Sequence, residues 1–555
     1  MFCPLPYRAA ERMRISRPRG PRAVLCLLAL LPACWAPRFQ KESADRQVYA
    51  ILDRASKKVT GRSAAFAVER PVDTLRKRLL ESREPVRLTL LEALDVAAEN
   101  SREFQRQKEQ LYLAALNLTR SRHDFDVIFG AGGAAEISGT ADDEADASLS
   151  DDLSASVRSP AGTRLVASFV NTFLRSVVHG GSFDGSSILN LTLTQPLLRG
   201  AGRRIVREPL TQAERDVIYQ MRAFERFRAT FAVQVVSEYY SIVRQMEDLA
   251  NVDANYRSVQ QSRQQTEDLF AAGRRTVNDL GREKQSELTA DTNRVETRNR
   301  LENALDRFKA TLGLPIRARV ELDPRELEKL TRGGVVPFEM DEDQAIELAL
   351  QRRYDYRTAV DQVEDAGRRV LVSEDALSMS LDFTAALGVP AESGKGLNLD
   401  WSKVNWSAGF DLDLALDKLV ERNAYRSALI ALDAAIRSRE SAEDSIATEI
   451  RAALRNIKSA YDSYVIQVDA LKLAETRVES TSELYQAGRA SALDVLDAKD
   501  SKLATQLRLT SAAVDYAVAR LELLRDLEGL ALEPKGLRFD PALPLPDLRP
   551  EEERP

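Results

Sequence analysis

Beyond residue 34, this chain of 555 residues contains no cysteine. Cys3, Cys26 and Cys34 are the only three, so the body of the chain has neither a disulfide framework nor a thiolate metal site. Histidine is almost as scarce. His123 and His179 are the only two, and neither stands at ligand spacing from another ligand-type residue, so exposed or satisfied imidazoles are expected rather than metal ligands. Aromatic residues make up 6%, the net charge is −6, and no basic patch alternates with aromatics, which excludes a nucleic-acid footprint. There is no P-loop, no nucleophile–base arrangement and no carboxylate pair in a pocket context. An enzyme is not expected, and neither a cofactor nor a metal is implied.

The apolar run at 23–31, "AVLCLLALL", is too short for a membrane-spanning helix, which needs about 20 residues. Six arginines, from Arg8 to Arg22, precede it, so 1–33 reads as a secretory signal. Leu31, Ala33 and Cys34 resemble the lipobox of bacterial lipoproteins, which implies Cys34 as the site of lipidation. Trp35 follows the cysteine where an inner-membrane retention signal has Asp. Residues 34–87 then form an N-terminal tether with some helix, and 533–555 reads as a disordered tail.

Between these ends, charged residues reach 30%, and long stretches rich in Ala, Leu, Glu, Arg and Gln favour extended helices over one thick core. Phe224, Phe227, Phe231, Val235, Tyr239, Ile242, Met246 and Leu249 form one stripe stepping by three or four. Leu503, Leu507, Thr510, Val514, Val518, Leu521 and Leu524 repeat the pattern. A helix over 207–272 would be roughly 100 Å long at about 1.5 Å per residue, too long for a compact domain. Such helices need partners along their length.

The chain also repeats itself. "LFAAGRRTVNDL" at 269–280 returns as "LYQAGRASALDV" at 484–495. Gly273 and Gly488 suit the left-handed residue that ends a helix, with Arg274 and Arg489 next. Thr276 and Ser491 suit the next N-cap, with Asp279 and Asp494 at capping-box spacing. Each phrase is thus the tip of a helical hairpin. Ala93, Leu94 and Ala97 likewise answer to Ala345, Ile346 and Ala349. The repeat offset is 252 there and 215 at the tips, so the first half, 88–335, carries a surplus of about 37 residues over the second, 336–532. The Gly/Ser/Asp-rich stretch 130–187 is the expected place for it, because loops accept insertions more readily than long helices.

Four segments alternate with period two and read as strands. In 405–417, Trp406, Ala408, Phe410, Leu412, Leu414 and Leu416 take one face and polar residues the other. Leu189, Leu191 and Leu193 do so in 187–195; Phe125, Val127, Phe129 and Ala131 in 124–131; Leu381, Phe383, Ala385 and Leu387 in 380–387. Further strands over 150–175 remain open. A small soluble sheet packed on helices would explain the alternation but leaves its apolar face without a partner. A transmembrane barrel gives that face to lipid. Four strands cannot close a barrel, and open edges are not tolerated in lipid, so several chains must share one. Two chains would supply eight strands and three would supply twelve; the strand pattern does not choose.

Taken together, "LTLLEALDVAAEN" (88–100), "LTLTQPLLRGAGRR" (191–204) and the paired tips resemble the TolC-like outer-membrane efflux proteins over roughly 88–532. The resemblance implies an α+β membrane protein with an internal structural repeat. Very long antiparallel helices would form a trimeric α-barrel, and four main strands per chain would enter a shared 12-stranded outer-membrane β-barrel. It also implies a homotrimer in the outer membrane of a Gram-negative-type bacterium, with a long periplasmic portion. That trimer would meet a membrane-fusion adaptor and an inner-membrane pump in tripartite efflux or type I secretion. In this frame Pro196, Gly200 and Gly202 break the strand and turn the chain into the long helix; the "GAGRR" they border lacks the third glycine of a dinucleotide loop. Asp494, Asp497 and Tyr485 would line the periplasmic aperture, although Asp494 is equally explained as a cap and Asp497 as part of a solvated helix face. The arginine with which some members close the tip is replaced by Ala490. The competing reading is a periplasmic coiled-coil scaffold without a channel.

Overall fold

The stripe through Phe224 and Tyr239 belongs to one helix of 64 residues, Glu208–Ala271, which at about 1.5 Å per residue runs roughly 96 Å. The computed structural model describes residues 37–539 apart from 64–65, 72–73, 82–84, 140–144, 177–183, 327–334, 336, 392–397 and 534–535. The expected signal region 1–33, Cys34, His179 and residues 540–555 lie outside the described residues.

In chain order the first half contains α1 (Pro37–Thr60), α2 (Leu75–Glu81), β1 (Val86–Leu88), α3 (Leu90–Asn100) and α4 (Arg102–His123). Four strands follow: β2 (Ile128–Gly139), β3 (Ala145–Arg158), β4 (Arg164–Ser176) and β5 (Asp184–Pro196). The half closes with α5 (Arg203–Val206), α6 (Glu208–Ala271), α7 (Val277–Thr311) and β6 (Val320–Leu322). The second half runs α8 (Glu342–Arg352), α9 (Tyr354–Asp375), β7 (Ser380–Pro390), β8 (Asn405–Asp413), α10 (Leu419–Gln486) and α11 (Ala492–Asp526). A small hairpin, β9 (Leu530–Glu533) with β10 (Gly536–Phe539), ends the described chain, so residues 536–539 are strand rather than the start of a disordered tail.

The repeat is structural. Each half has a short helix pair, strands, a long helix, a tip and a returning helix. Thr89 caps α3 with a capping box closed by Glu92, and Asp341 caps the matching α8 by accepting from the Gln344 amide. Pro in the first turn of α6 suits a position whose N–H has no intrahelical partner. The aromatic core lies where α4 crosses α6: Phe104 stands 5.8 Å from Phe224 and 5.6 Å from Phe231, ring centre to ring centre. β1 and β6 pair in parallel beside it, and the buried Tyr239 hydroxyl donates to the Leu88 carbonyl (3.1 Å) and accepts from the Asp323 amide (3.2 Å). Below this belt the helices are thinly covered. Only Ile446, Ile450, Ile457 and Ala474 are buried among the 68 residues of α10.

One antiparallel sheet has the order β2–β3–β4–β5–β7–β8. The four expected segments are all represented, but the count of four main strands is corrected to six. β3 and β4 absorb the surplus of the first half. They escape the simple pattern because β3 alternates small residues and places Asp151 in its apolar row, hydrogen-bonded to Asn171 of β4 (2.6 Å). Twelve strands from three chains rested on four per chain and therefore do not follow. Two strand limits also move. Phe125 precedes β2 and packs on the helical core, since the chain is still in the turn that ends α4. Leu414 and Leu416 lie past β8, where Asp413 turns the chain by accepting from the Ala415 amide (3.0 Å).

α7 ends against the α3–α4 junction. Gly313 has φ +71°, and a Cβ there would collide with the Asn100 carbonyl. Gly281, inside α7, is open: a Cβ added there would meet nothing within 4 Å. Gly313→Ala is therefore expected to lower stability by more than the roughly 1–2 kcal/mol of a left-handed alanine. Gly281→Ala should raise stability by about 0.5–1 kcal/mol. Melting curves of the detergent-purified variants check both.

Candidate functional site

Two regions gather the residues that the sequence singles out: the hairpin tips and the junction where strands meet helices. At the first tip α6 closes with the Gly273 amide donating to the Phe270 carbonyl (2.9 Å) and the Arg274 amide to the Leu269 carbonyl (2.8 Å). At the second, the Gly488 amide donates to Tyr485 (3.0 Å) and the Arg489 amide to Leu484 (2.8 Å). This paired closure needs a left-handed residue, and φ is +71° at Gly273 and +72° at Gly488. Thr276 and Ser491 then cap α7 and α11, each in a full capping box with Asp279 or Asp494. The two tips are the same device made twice.

The tips also touch. Arg275 of the first lies over the Tyr485 ring of the second, 4.2 Å from its centre, and the Tyr485 hydroxyl is 3.4 Å from Thr266 Oγ1. Tyr485 is half-buried, whereas Gly273, Arg274, Thr276, Arg489, Ser491, Asp494 and Asp497 are exposed. Apolar side chains share that surface: Val277 is 69% and Leu493 54% exposed. Asp494 accepts from both the backbone and the side chain of Ser491 (2.8 and 2.6 Å). Asp497 pairs with Arg477 of α10 at 2.5 Å, a partner 20 residues away that the helix-face reading of Asp497 did not include.

Sequence reasoning missed the buried Glu283 and the half-buried Lys499 behind the tips. Glu283 of α7 is 1% exposed, and burial raises its pKa. Burial lowers that of Lys499 on α11, against the opposing pull of Glu283. Their polar residue types gave no hint of burial, because only the packing of α7 on α11 creates it.

At the junction Pro196 ends β5, yet the chain still follows β7 for three residues, with the Leu197 amide donating to Leu381 (2.8 Å) and that of Arg199 to Met379 (3.2 Å). Gly200 and Gly202 then turn it at φ +75° and +90°, and the Gly200 amide donates to Asp375 of α9 (2.8 Å). The expected breaks all sit at this bend. An ion network then pins α6 to α9. Arg215 binds Asp365 (2.8 Å) and Glu364 (2.6 Å), Arg222 binds Asp361 (2.6 Å), and Arg368 binds Glu208 (2.8 Å). Asp365 is 3% exposed and also accepts from the Tyr219 hydroxyl at 2.6 Å. Partners about 150 residues apart gave the sequence no signal for it.

His123 is exposed at the end of α4, 3.9 Å from Asp126. Among the described residues no group of three or more His, Cys, Asp or Glu is placed to hold a metal, and no helix is long and apolar enough to cross a membrane.

Residues 345–527 match the family model of the outer membrane efflux protein. The outer membrane protein TolC of Escherichia coli K12 is 22% identical over 331 residues, and that of Salmonella enteritidis 20% over 330. Each match covers 57% of this chain and 64% of the relative's length. Among solved structures, the outer-membrane channel OprN aligns with TM-score 0.58 at 18% identity, covering 84% of this chain and 94% of that one. The Campylobacter jejuni CmeC outer membrane channel aligns with TM-score 0.60 at 15% identity, covering 79% and 85%. These likenesses establish the fold.

Hydrogen bonds from Ser491 hold the Asp494 pKa below the ordinary carboxylate range, and those from Thr276 do the same for Asp279. A depressed acid stabilises above its unfolded pKa of about 3.9 and loses that contribution as pH falls through its folded value. Both tips should therefore fray below about pH 4, seen as faster amide exchange at 277–280 and 492–495. Ser491→Ala should cost about 1 kcal/mol of local helix stability at neutral pH and weaken the acid dependence at the second tip, where the backbone N–H of residue 491 still donates to Asp494.

Proposed function

We propose that this chain belongs to the TolC-like outer-membrane efflux proteins, to which its sequence and fold are similar, and is the outer-membrane exit duct of a tripartite efflux or type I secretion system. It is a passive conduit, without catalytic turnover, for cargo delivered by an inner-membrane pump. The observation that carries this reading is a sheet unfinished in a particular way. Its apolar face runs from Phe129 and Leu153 through Phe169, Leu189 and Leu387 to Trp406, interrupted by the hydrogen-bonded Asp151–Asn171 pair, and is the face that would meet lipid. Its other face is mostly polar, and both of its edge strands, β2 and β8, are exposed along their described length. Lipid tolerates no such edges, so copies must seal them. Successive strands alternate in direction, which makes β8 of one copy antiparallel to β2 of the next.

The helices repeat the argument. α10 leaves Leu473 at 73% and Ile466 at 63% exposed, apolar surface that neighbouring copies would cover in a periplasmic tunnel. A homotrimer is the assembly the family implies. Cys34 would carry the lipid that tethers 34–87 to the outer membrane. The exposed tips, with Arg274, Arg489, Val277 and Leu493 on one surface, would receive the membrane-fusion adaptor.

Asp494 and Asp497 from three copies would surround the aperture. The Arg477–Asp497 pair offsets part of that charge, so the ring acts as a moderate cation filter. Trimers that survive mild detergent and conduct ions in planar bilayers support the duct; a monomer that dissolves without detergent contradicts it. In the same recordings, Asp494→Ala with Asp497→Ala should lower the cation-to-anion permeability ratio. Arg477→Ala should raise it, each by a factor up to about five, corresponding to about 1 kcal/mol. Unchanged ratios in both variants would remove these residues from the aperture.

A further inference from the structure

We infer that the membrane barrel of this protein is built from eighteen strands, six from each of three copies, so its exit is about half again as wide as a twelve-stranded one. The inference rests on the trimeric duct proposed above. It adds that the β3–β4 hairpin is a segment of the barrel wall.

Four observations place the hairpin in the wall. First, it is not an appendage at an edge. β3 is paired with β2 from Ile128↔Ser156 to Gly139↔Ala145, and β4 with β5 from Arg164↔Thr194 to Leu174↔Asp184. Taking it out of the wall would break two ladders of backbone hydrogen bonds, leaving groups that lipid cannot satisfy. Second, its alternation is in phase with the rest. Leu153, Ala155 and Val157 extend the apolar row, while Ser150, Ser154 and Ser156 extend the polar one. Third, its inner turn is seated on the strand-to-helix bend. Gly162, at φ +100°, lies so close that a Cβ would be 2.9 Å from Pro196 Cγ and 3.2 Å from both the Gly200 carbonyl and Val206 Cγ2. The Thr163 hydroxyl next to it donates to Gln195. Fourth, a hairpin adds two strands, which keeps the number per chain even. Antiparallel closure between copies then survives, as it would not after the insertion of one strand.

The width also fits what lies beneath. Each chain brings four helices to every level of the stalk: α4, α6, α9 and α10 above, and α6, α7, α10 and α11 below. Twelve helices in a ring at about 9 Å spacing have axes on a circle about 35 Å across. Strands about 4.8 Å apart and tilted by about 40° give a barrel about 36 Å across for eighteen strands and about 24 Å for twelve. The eighteen-stranded barrel continues the tunnel without a neck. Barrels of this size enclose an aqueous channel rather than a packed interior. Most of the side chains lining this one are short and polar, and Val166, Val170, Leu174 and Ile188 are among its apolar exceptions. Gly130 and Gly132 leave room into which Ser154 and Asp152 lean, keeping the wall thin. Size selection then falls to the helical tunnel and its tip, and the exit admits bulky cargo with about twofold the cross-section of a twelve-stranded mouth.

Averaged images of the intact trimer in lipid nanodiscs test this directly. The expected barrel is about 36 Å across the backbone, with eighteen strands. A trimer whose barrel measures about 24 Å, with the hairpin outside the wall, overturns the inference and leaves the duct standing. Particles with no shared barrel overturn the duct itself. A second arm uses a variant lacking 145–176, whose two ends lie side by side through the Asp146↔Ser176 pair. Poly(ethylene glycol) of graded size, added from the outer side during conductance recording, should enter the full-length channel at sizes the variant excludes. An identical size limit for the two proteins also overturns the proposal.

Discussion

The structure depends on one unmet requirement: the backbone groups along the outer edges of β2 and β8 have no partner within the described chain. In water such an edge is a liability, and in lipid each unsatisfied group costs several kcal/mol. The apolar row of the same sheet, with Trp406 77% and Phe129 80% exposed, calls for a solvent of hydrocarbon. One demand is met by other copies and the other by a bilayer. A closed barrel of several chains meets both. Membrane insertion and oligomerisation are then one event, because neither half-solution satisfies the sheet.

The helical part is incomplete in a milder way. Its upper half has a core of its own around Phe104, Phe224 and Tyr239, and the Arg215–Asp365 network fixes how the second half packs against the first. Farther down, α10 has too few buried residues to be stable alone, and helices of this length take their stability from packing rather than propensity. This core lies between the strand junction and the middle of the long helices. At the tips the turns are set by local capping and joined to each other by the Arg275–Tyr485 and Tyr485–Thr266 contacts, and in the proposed duct a partner would dock there. That arrangement suits the proposed duct, whose barrel would have to hold its register while its far end meets a pump.

How much of this was legible depended on whether the controlling interaction was local. The tips were fully legible, because Gly273 with Thr276 and Asp279, and Gly488 with Ser491 and Asp494, act on nearby backbone. β8 was legible through Trp406, Phe410 and Leu412, whose bulk makes period two plain. β3 was not: its apolar row mixes Ala147, Leu149 and Ala155 with Asp151, and only pairing with Asn171 across the strand makes the aspartate acceptable there. The surplus of the first half was visible as an offset between two repeats, but not as a hairpin. The Asp497 pairing was not visible because Arg477 is remote in sequence, and the burial of Glu283 was not because nothing local creates it.

The most direct measurement is amide hydrogen exchange on the purified assembly, strand by strand. If copies seal one another's edges, amides of β2 and β8 exchange as slowly as those of β4 and β5 in the middle of the sheet. Should β2 and β8 exchange within seconds while the central strands remain protected, the edges are open, and the claim that this chain completes its barrel through its neighbours is wrong.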